Sequence, residues 1–271
     1  MAECLLEAKD LQVCFGGGRD IFLKRKEPFE ALKGISFSLQ PGEAYALVGE
    51  SGAGKSTAAK CVVGLQRPTS GEITFQGEPL SFRGSKRRLI QMVFQDPYSS
   101  LNPRMSIGAT ITELLRVNGI ASSKQAARQR AKELLAMVGI PEQALEQKPR
   151  AFSGGQRQRI GIARALAVEP TLLVADEPVS ALDASIQASI LLLLKRLQRE
   201  LGLTMLFISH DLAVVRQLCD RVGVMSEGQI IEEGKVEEVL HAPRQEFTKK
   251  LLAAATDLPA LEMDVGLAPT Q

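Results

Sequence analysis

The chain has 271 residues, 45% of them hydrophobic, and a formal net charge of +2. That is enough apolar material for one large α/β domain or two smaller ones, while the near-neutral charge supplies no general basic field for nucleic acid. No apolar run approaches the roughly 18 to 20 residues of a membrane span, and the stretch Ile190–Leu194 is followed at once by Lys195 and Arg196.

The N-terminal MAECLLEAKD has neither a basic n-region nor a long apolar h-region, so the expected location is the cytoplasm. Two basic runs, Lys24-Arg25-Lys26 and Lys86-Arg87-Arg88, read as solvated surface, with partner patches as the alternative. Cys4, Cys14, Cys61 and Cys219 form no CxxC pair and read as reduced packing residues. The first informative element is the apolar stretch Ala44–Val48, followed by Gly49-Glu50-Ser51-Gly52-Ala53-Gly54-Lys55-Ser56, with Thr57 next. This fits G-x-x-x-x-G-K-[ST] at every position and predicts a strand, a phosphate loop and a helix starting near Lys55. In such a loop the glycines let backbone amides curl around a phosphate, Lys55 reaches the β- and γ-phosphates, and the Ser56 hydroxyl ligates Mg²⁺.

Gln95 ends the apolar stretch of MVFQDPYSS, where it can sense a γ-phosphate or Mg²⁺ and pass movement onward. From about Asp96 to Phe152 the pattern turns helical, with Ala127, Ala131, Leu134, Leu135 and Val138 along one face, as in an inserted helical subdomain. AFSGGQRQRIGIARAL (151–166) then predicts a second anion-directed helix. Ser153 caps it, Gly154 and Gly155 leave its first amides uncovered, and Ile160, Ile162, Ala163 and Leu166 form the apolar stripe.

TLLVADEP predicts a buried strand ending in Asp176, suited to Mg²⁺, and Glu177, placed to polarise an attacking water. TMLFISHD predicts another, ending in His210, which can contact a γ-phosphate or hold Glu177 and the water in line. Ligands gather at the carboxyl ends of such parallel strands, so the three segments converge on one place. RVGVMSEGQIIEEG reads as a hairpin, KVEEVL and FTKKLLAAA as short helices, and the last dozen residues as frayed.

With the phosphate loop, Gln95, SGGQ, VADEP, SALD and His210 in this order, the chain resembles the nucleotide-binding subunit of an ATP-binding cassette (ABC) transporter. The resemblance implies a P-loop NTPase of ABC type: a mainly parallel core sheet with an N-terminal antiparallel β region and an inserted helical subdomain. Its expected layout is a RecA-like core over 1–95 and 153–240, a helical subdomain over 96–152, and a C-terminal helix and tail over 241–271. It makes Ser153, Gly154, Gly155 and Gln156 the family signature, although Phe152 stands where the family usually has Leu. Asp183 becomes the acid of the D-loop, and Phe15 the aromatic that stacks on adenine, with Phe22 as the competitor.

In that family two such subunits meet head to tail, so each ATP lies between one phosphate loop and the other subunit's signature. FQDPYSSLNPRMSIG, the long segment between Phe15 and Ala31, and HAPRQEFTKKLLAA resemble the dipeptide, oligopeptide and nickel importer branch, with Glu246-Phe247-Thr248 where that branch usually reads Pro-Tyr-Thr. The implied partners are a second ATP-binding subunit, two transmembrane permease subunits and, indirectly, an extracytoplasmic solute-binding protein, without nucleic acid, and the implied place of this chain is the cytoplasmic face of the membrane. The implied cofactors are ATP and Mg²⁺. The alternative is a soluble ABC ATPase acting on nucleic acid or the ribosome, but neither a long coiled coil nor a second cassette is present.

Overall fold

The computed structural model describes residues 4–16, 28–81, 84–96 and 101–255. Phe22, the Lys24–Lys26 run, part of the DPYSS stretch and the final residues lie outside them. In chain order the elements are β1 (Leu6–Phe15), β2 (Phe29–Leu39), β3 (Ala44–Val48), α1 (Lys55–Val63), β4 (Ser70–Phe75), β5 (Glu78–Pro79) and β6 (Ile90–Val93). There follow α2 (Ile107–Val117), α3 (Lys124–Met137), α4 (Gly154–Leu166), β7 (Leu172–Asp176), α5 (Ala184–Leu201), β8 (Thr204–Ser209), α6 (Leu212–Leu218), β9 (Arg221–Ser226), β10 (Gln229–Lys235), α7 (Val236–His241) and α8 (Glu246–Ala255).

Among the described residues the strands form two sheets. An antiparallel sheet has the order β2-β1-β4-β5, and the central sheet has the order β10-β9-β3-β8-β7-β6. From β9 to β6 every neighbouring pair in the central sheet is parallel, and β10 joins as the antiparallel arm of the β9–β10 hairpin. The Glu227-Gly228 turn of that hairpin has φ of +47° and +82°, the left-handed pair that suits a tight two-residue turn.

The continuous apolar runs have a simple cause, because β3, β7 and β8 are covered on both faces. Successive side chains alternate between two cores. Ala44, Ala46, Val48, Leu173, Ala175, Met205 and Phe207 join the core shared with α2 to α7. Tyr45, Leu47, Leu172, Val174, Leu206 and Ile208 join the core beneath α1 and the antiparallel sheet. The expected face of α3 is buried as read from its period. The cysteines are free thiols, with Cys61 and Cys219 buried. Burial pushes the Cys61 thiol up to about 11.

Arg87, expected as solvated surface, donates to Val62 O at 2.7 Å and to Ser81 O at 3.0 Å, and its guanidinium lies where a β-carbon on Gly64 would stand. It occupies the C-terminal end of α1, where a cation meets the negative pole of the helix and its unpaired carbonyls.

Candidate active site

The loop 49–57 leaves the carboxyl end of β3 and enters α1. Gly49 has φ of +150°, and a β-carbon there would stand 2.1 Å from Met225 O. Gly54 has φ of +102°, and its β-carbon would stand 2.5 Å from Ala31 O. Both positions demand glycine for conformation and for the close approach of another backbone. The loop is also held from outside, because Gly228 N donates to Ala53 O at 3.1 Å and Lys33 N donates to Gly228 O at 2.9 Å. The β9–β10 turn therefore fixes the loop against β2.

Among the described residues no side chain caps α1, and no acid occupies its first turn, so its positive end is open to an external anion. Lys55 is buried, and its ammonium donates to Gly49 O at 2.7 Å and Glu50 O at 2.8 Å. Burial pulls its pKa down, against the opposing pull of Glu177 and Asp176.

Ser56, in the first turn of α1, donates to Asp176 Oδ1 at 2.8 Å, which joins the loop to the end of β7. Burial raises the pKa of the Asp176 carboxyl, and the Ser56 hydrogen bond works in the opposite direction. Glu177, the next residue, has φ of +46°. This left-handed backbone costs a non-glycine residue on the order of 1–3 kcal/mol. It is held there by its amide, which donates to Ile208 O at 3.1 Å on β8, and by Ser180, whose hydroxyl donates to Glu177 O at 3.2 Å. His210 Nδ1 lies 3.5 Å from Glu177 Oε2. A cavity of about 70 Å³ is lined by Glu177, Ser180, Ser209 and His210 among others. That exceeds the roughly 15 Å³ that one water needs.

Lys55, Ser56, Asp176, Glu177 and His210 are thus brought together at the carboxyl ends of three adjacent parallel strands. Gln95 is exposed two residues past the end of β6, at the same end of the sheet.

The SGGQ segment forms a separate element. Ser153 is the N-cap of α4 in a reciprocal capping box: its hydroxyl accepts from Gln156 N at 3.4 Å, and its own amide donates to Gln156 Oε1 at 3.0 Å. The glycines have a second purpose that the sequence did not reveal. A β-carbon on Gly155 would stand 2.5 Å from Ile186 Cγ2, and one on Gly154 would stand 3.3 Å from Leu182 Cδ2, so α4 and the start of α5 approach closely. Asp183 is the exposed residue preceding α5 and makes no side-chain cap. Among the described residues, no hydrogen bond or ion pair joins Ser153–Gln156 to the phosphate loop. Phe15 stands opposite Phe29 in the β1–β2 register, and both rings are exposed, Phe29 the more so. Phe29 is a flat apolar candidate that no spacing rule singled out.

The profile of the family described as "ABC transporter" matches residues 32–180, which spans the loop, Gln95, the capped glycines and the acidic strand end. The chain belongs to the ABC transporter family. As a member it is an ATP-binding and ATP-hydrolysing subunit with the ABC cassette fold. Among curated proteins, this ABC ATPase is 45% identical over 260 residues to the oligopeptide transport ATP-binding protein OppF of Bacillus subtilis, covering 94% of this chain and 83% of that one. It is 47% identical over 259 residues to OppF of Salmonella typhimurium, covering 92% and 77%. Among solved structures, the ATP-binding cassette MJ0796, a dimer bound to ADP and Pi, superposes with a TM-score of 0.74 at 32% identity over 85% of this chain and 98% of that one. The cbiO1 cassette from Clostridium perfringens superposes with a TM-score of 0.75 at 31% identity over 89% and 92%. The reading as a nucleic-acid or ribosome ATPase is not favoured by these relatives. No helix among the described residues is long and apolar enough to cross a membrane.

Proposed function

We propose that this ABC ATPase powers peptide import, working at the cytoplasmic face of the membrane as one of two ATP-binding subunits beneath two permease subunits supplied by an extracytoplasmic binding protein. The single observation that carries the hydrolytic part is the convergence of Lys55, the Ser56–Asp176 pair and the Glu177–His210 pair at adjacent strand ends. The peptide assignment is supported by the oligopeptide transport proteins among its relatives.

In this reading the amides of 49–57 and the Lys55 ammonium hold the β- and γ-phosphates, and Phe15 or Phe29 lies against adenine. Ser56, Asp176 and Gln95 offer the all-oxygen donor set that suits Mg²⁺, which would neutralise charge developing on the phosphates. The burial of Asp176 beside the Ser56 hydroxyl fits that assignment. Glu177 orients a water and draws on its proton. The water oxygen attacks the γ-phosphorus, the bond from that phosphorus to the bridging oxygen breaks, and ADP leaves with the electron pair. His210 keeps Glu177 and the water in line.

Ser153, Gly154, Gly155, Gln156 and Asp183 face the nucleotide held by the second subunit. The separation of SGGQ from the chain's own loop and the dimeric MJ0796 cassette support this arrangement.

The test uses the complex reconstituted in vesicles. Peptide-loaded binding protein should raise ATP turnover above that of the isolated chain, and equal rates would refute the importer reading. The shared site is tested by placing Lys55→Ala and Ser153→Arg in this chain, against Lys55→Ala here with the signature Ser replaced in the second subunit. More vanadate-trapped nucleotide in the first complex than in the second would refute the shared site.

A further inference from the structure

Helix α4 carries polar side chains where its packing would lead one to expect apolar ones. Arg157 and Gln158 are buried, and Arg159 and Arg164 are half-buried. Each donates to a backbone carbonyl of another segment. Arg157 Nε reaches Pro149 O at 2.7 Å and Arg159 Nη1 reaches Val138 O at 2.7 Å, both within the helical stretch that leads into α4. The other two cross to the central sheet. Gln158 Nε2 donates to Phe94 O at 3.3 Å, and Arg164 Nη2 donates to Met92 O at 3.2 Å, with its guanidinium 5.8 Å from the centre of the Phe94 ring.

The two acceptors belong together. Among the described residues β6 lies at the edge of the six-stranded sheet and pairs only with β7. Carbonyls two residues apart on a strand point to the same side, so Met92 and Phe94 present theirs to one edge. A buried edge carbonyl needs a donor from elsewhere. Six residues of helix span about 9 Å and two residues of strand about 7 Å, and although Gln158 and Arg164 lie about 120° apart around α4, their long side chains reach the two carbonyls from successive turns. Gln95 directly follows Phe94, and Ser153 caps the same helix.

We propose that Gln158 and Arg164 are positioning residues that clamp the end of β6 to α4, so that Gln95, which reads the chain's own nucleotide, and Ser153, which faces the partner's, move as one unit. The proposal rests on the roles of Gln95 and Ser153 given above. It makes the clamp a mechanical link between the two ATP sites of the assembly. Movement of Gln95 toward a γ-phosphate would pull on α4 and shift the signature offered to the other nucleotide.

The test uses the assembled transporter. Gln158→Met keeps length and removes the donor. It should leave nucleotide affinity and KM within about twofold and lower kcat by about 10- to 100-fold, the scale of a catalytic group displaced by a remote change. Added to Gln95→Ala it should cost nothing further, because its effect runs through Gln95. Arg164→Met should repeat both results, and Arg164→Lys, which retains a donor, should recover most of the turnover. These measurements carry the cycle should Gln158→Met fold poorly.

A raised KM with unchanged kcat, or losses that multiply with Gln95→Ala, would overturn the clamp and leave the assignment of Gln95 standing. Wild-type turnover in Gln95→Ala alone would overturn that assignment and the clamp with it.

Discussion

Gly155→Ala tests whether the signature glycines are there for close packing. The new β-carbon would stand 2.5 Å from Ile186 Cγ2, and the next nearest atom, Ile186 Cδ1, is at 3.6 Å. Carbon atoms rest about 3.5–4.0 Å apart, so α4 and α5 must separate by about 1 Å at this point. Overpacking of this kind costs about 1–3 kcal/mol, and the better helix propensity of alanine returns about 1 kcal/mol. The net loss is about 1 kcal/mol, equivalent to a Tm lowered by about 2–4 °C for a chain of this size. Thermal unfolding of the four members of a cycle with Ile186→Ala measures it. The second substitution should cancel the cost of the first, because the offending methyl is gone. In the complex the same 1 Å shift moves the amides of the signature, so turnover should fall by about tenfold or more. A Gly155→Ala chain at least as stable as wild type, with additive effects across the cycle, would refute the packing argument.

Glu177→Gln should retain nucleotide and cut turnover by about 10²- to 10⁴-fold, measured as ATP hydrolysis by the complex, with nucleotide binding as the control. Lys55→Ala should instead lose affinity for the nucleotide itself, seen in equilibrium binding, because the buried ammonium is removed from the loop. Burial raises the pKa of Asp176, so the folded chain holds that proton more tightly than the unfolded chain, and this group subtracts stability as pH rises above its ordinary value of 3.8. Asp176→Asn should therefore raise the Tm of the nucleotide-free chain at neutral pH and flatten its pH dependence just above that value, while abolishing the extra stabilisation given by Mg²⁺ with ATP. A Tm lowered at neutral pH would contradict this.

Much of the site was legible because its signals are local. A strand buried on both faces is a continuous apolar run, which is why Ala44–Val48, Leu172–Asp176 and Thr204–Ser209 could be placed. The phosphate loop was legible because its glycines must occupy fixed offsets, and the α4 cap because Ser153 immediately precedes the helix it caps. Within the basic run at 86–88 Arg87 misled, because a charged side chain looks the same whether it meets water or the end of a helix. Only folding brought Arg87 to the carbonyl of Val62.

The order of the chemistry along the chain, and with it the family, was therefore determined by the sequence alone. Its mutual geometry was decided by the tertiary structure. The left-handed backbone of Glu177 is held by Ile208 O from the neighbouring strand, and the tight seat of Gly155 is set by Ile186 on the next helix. The donors on α4 find carbonyls 64 and 72 residues away. Periodicity records only what a residue needs from its immediate neighbours. Which distant backbone group will lack a partner, and which side chain will supply it, is set only when the edge of the sheet and the flank of the helix come into contact.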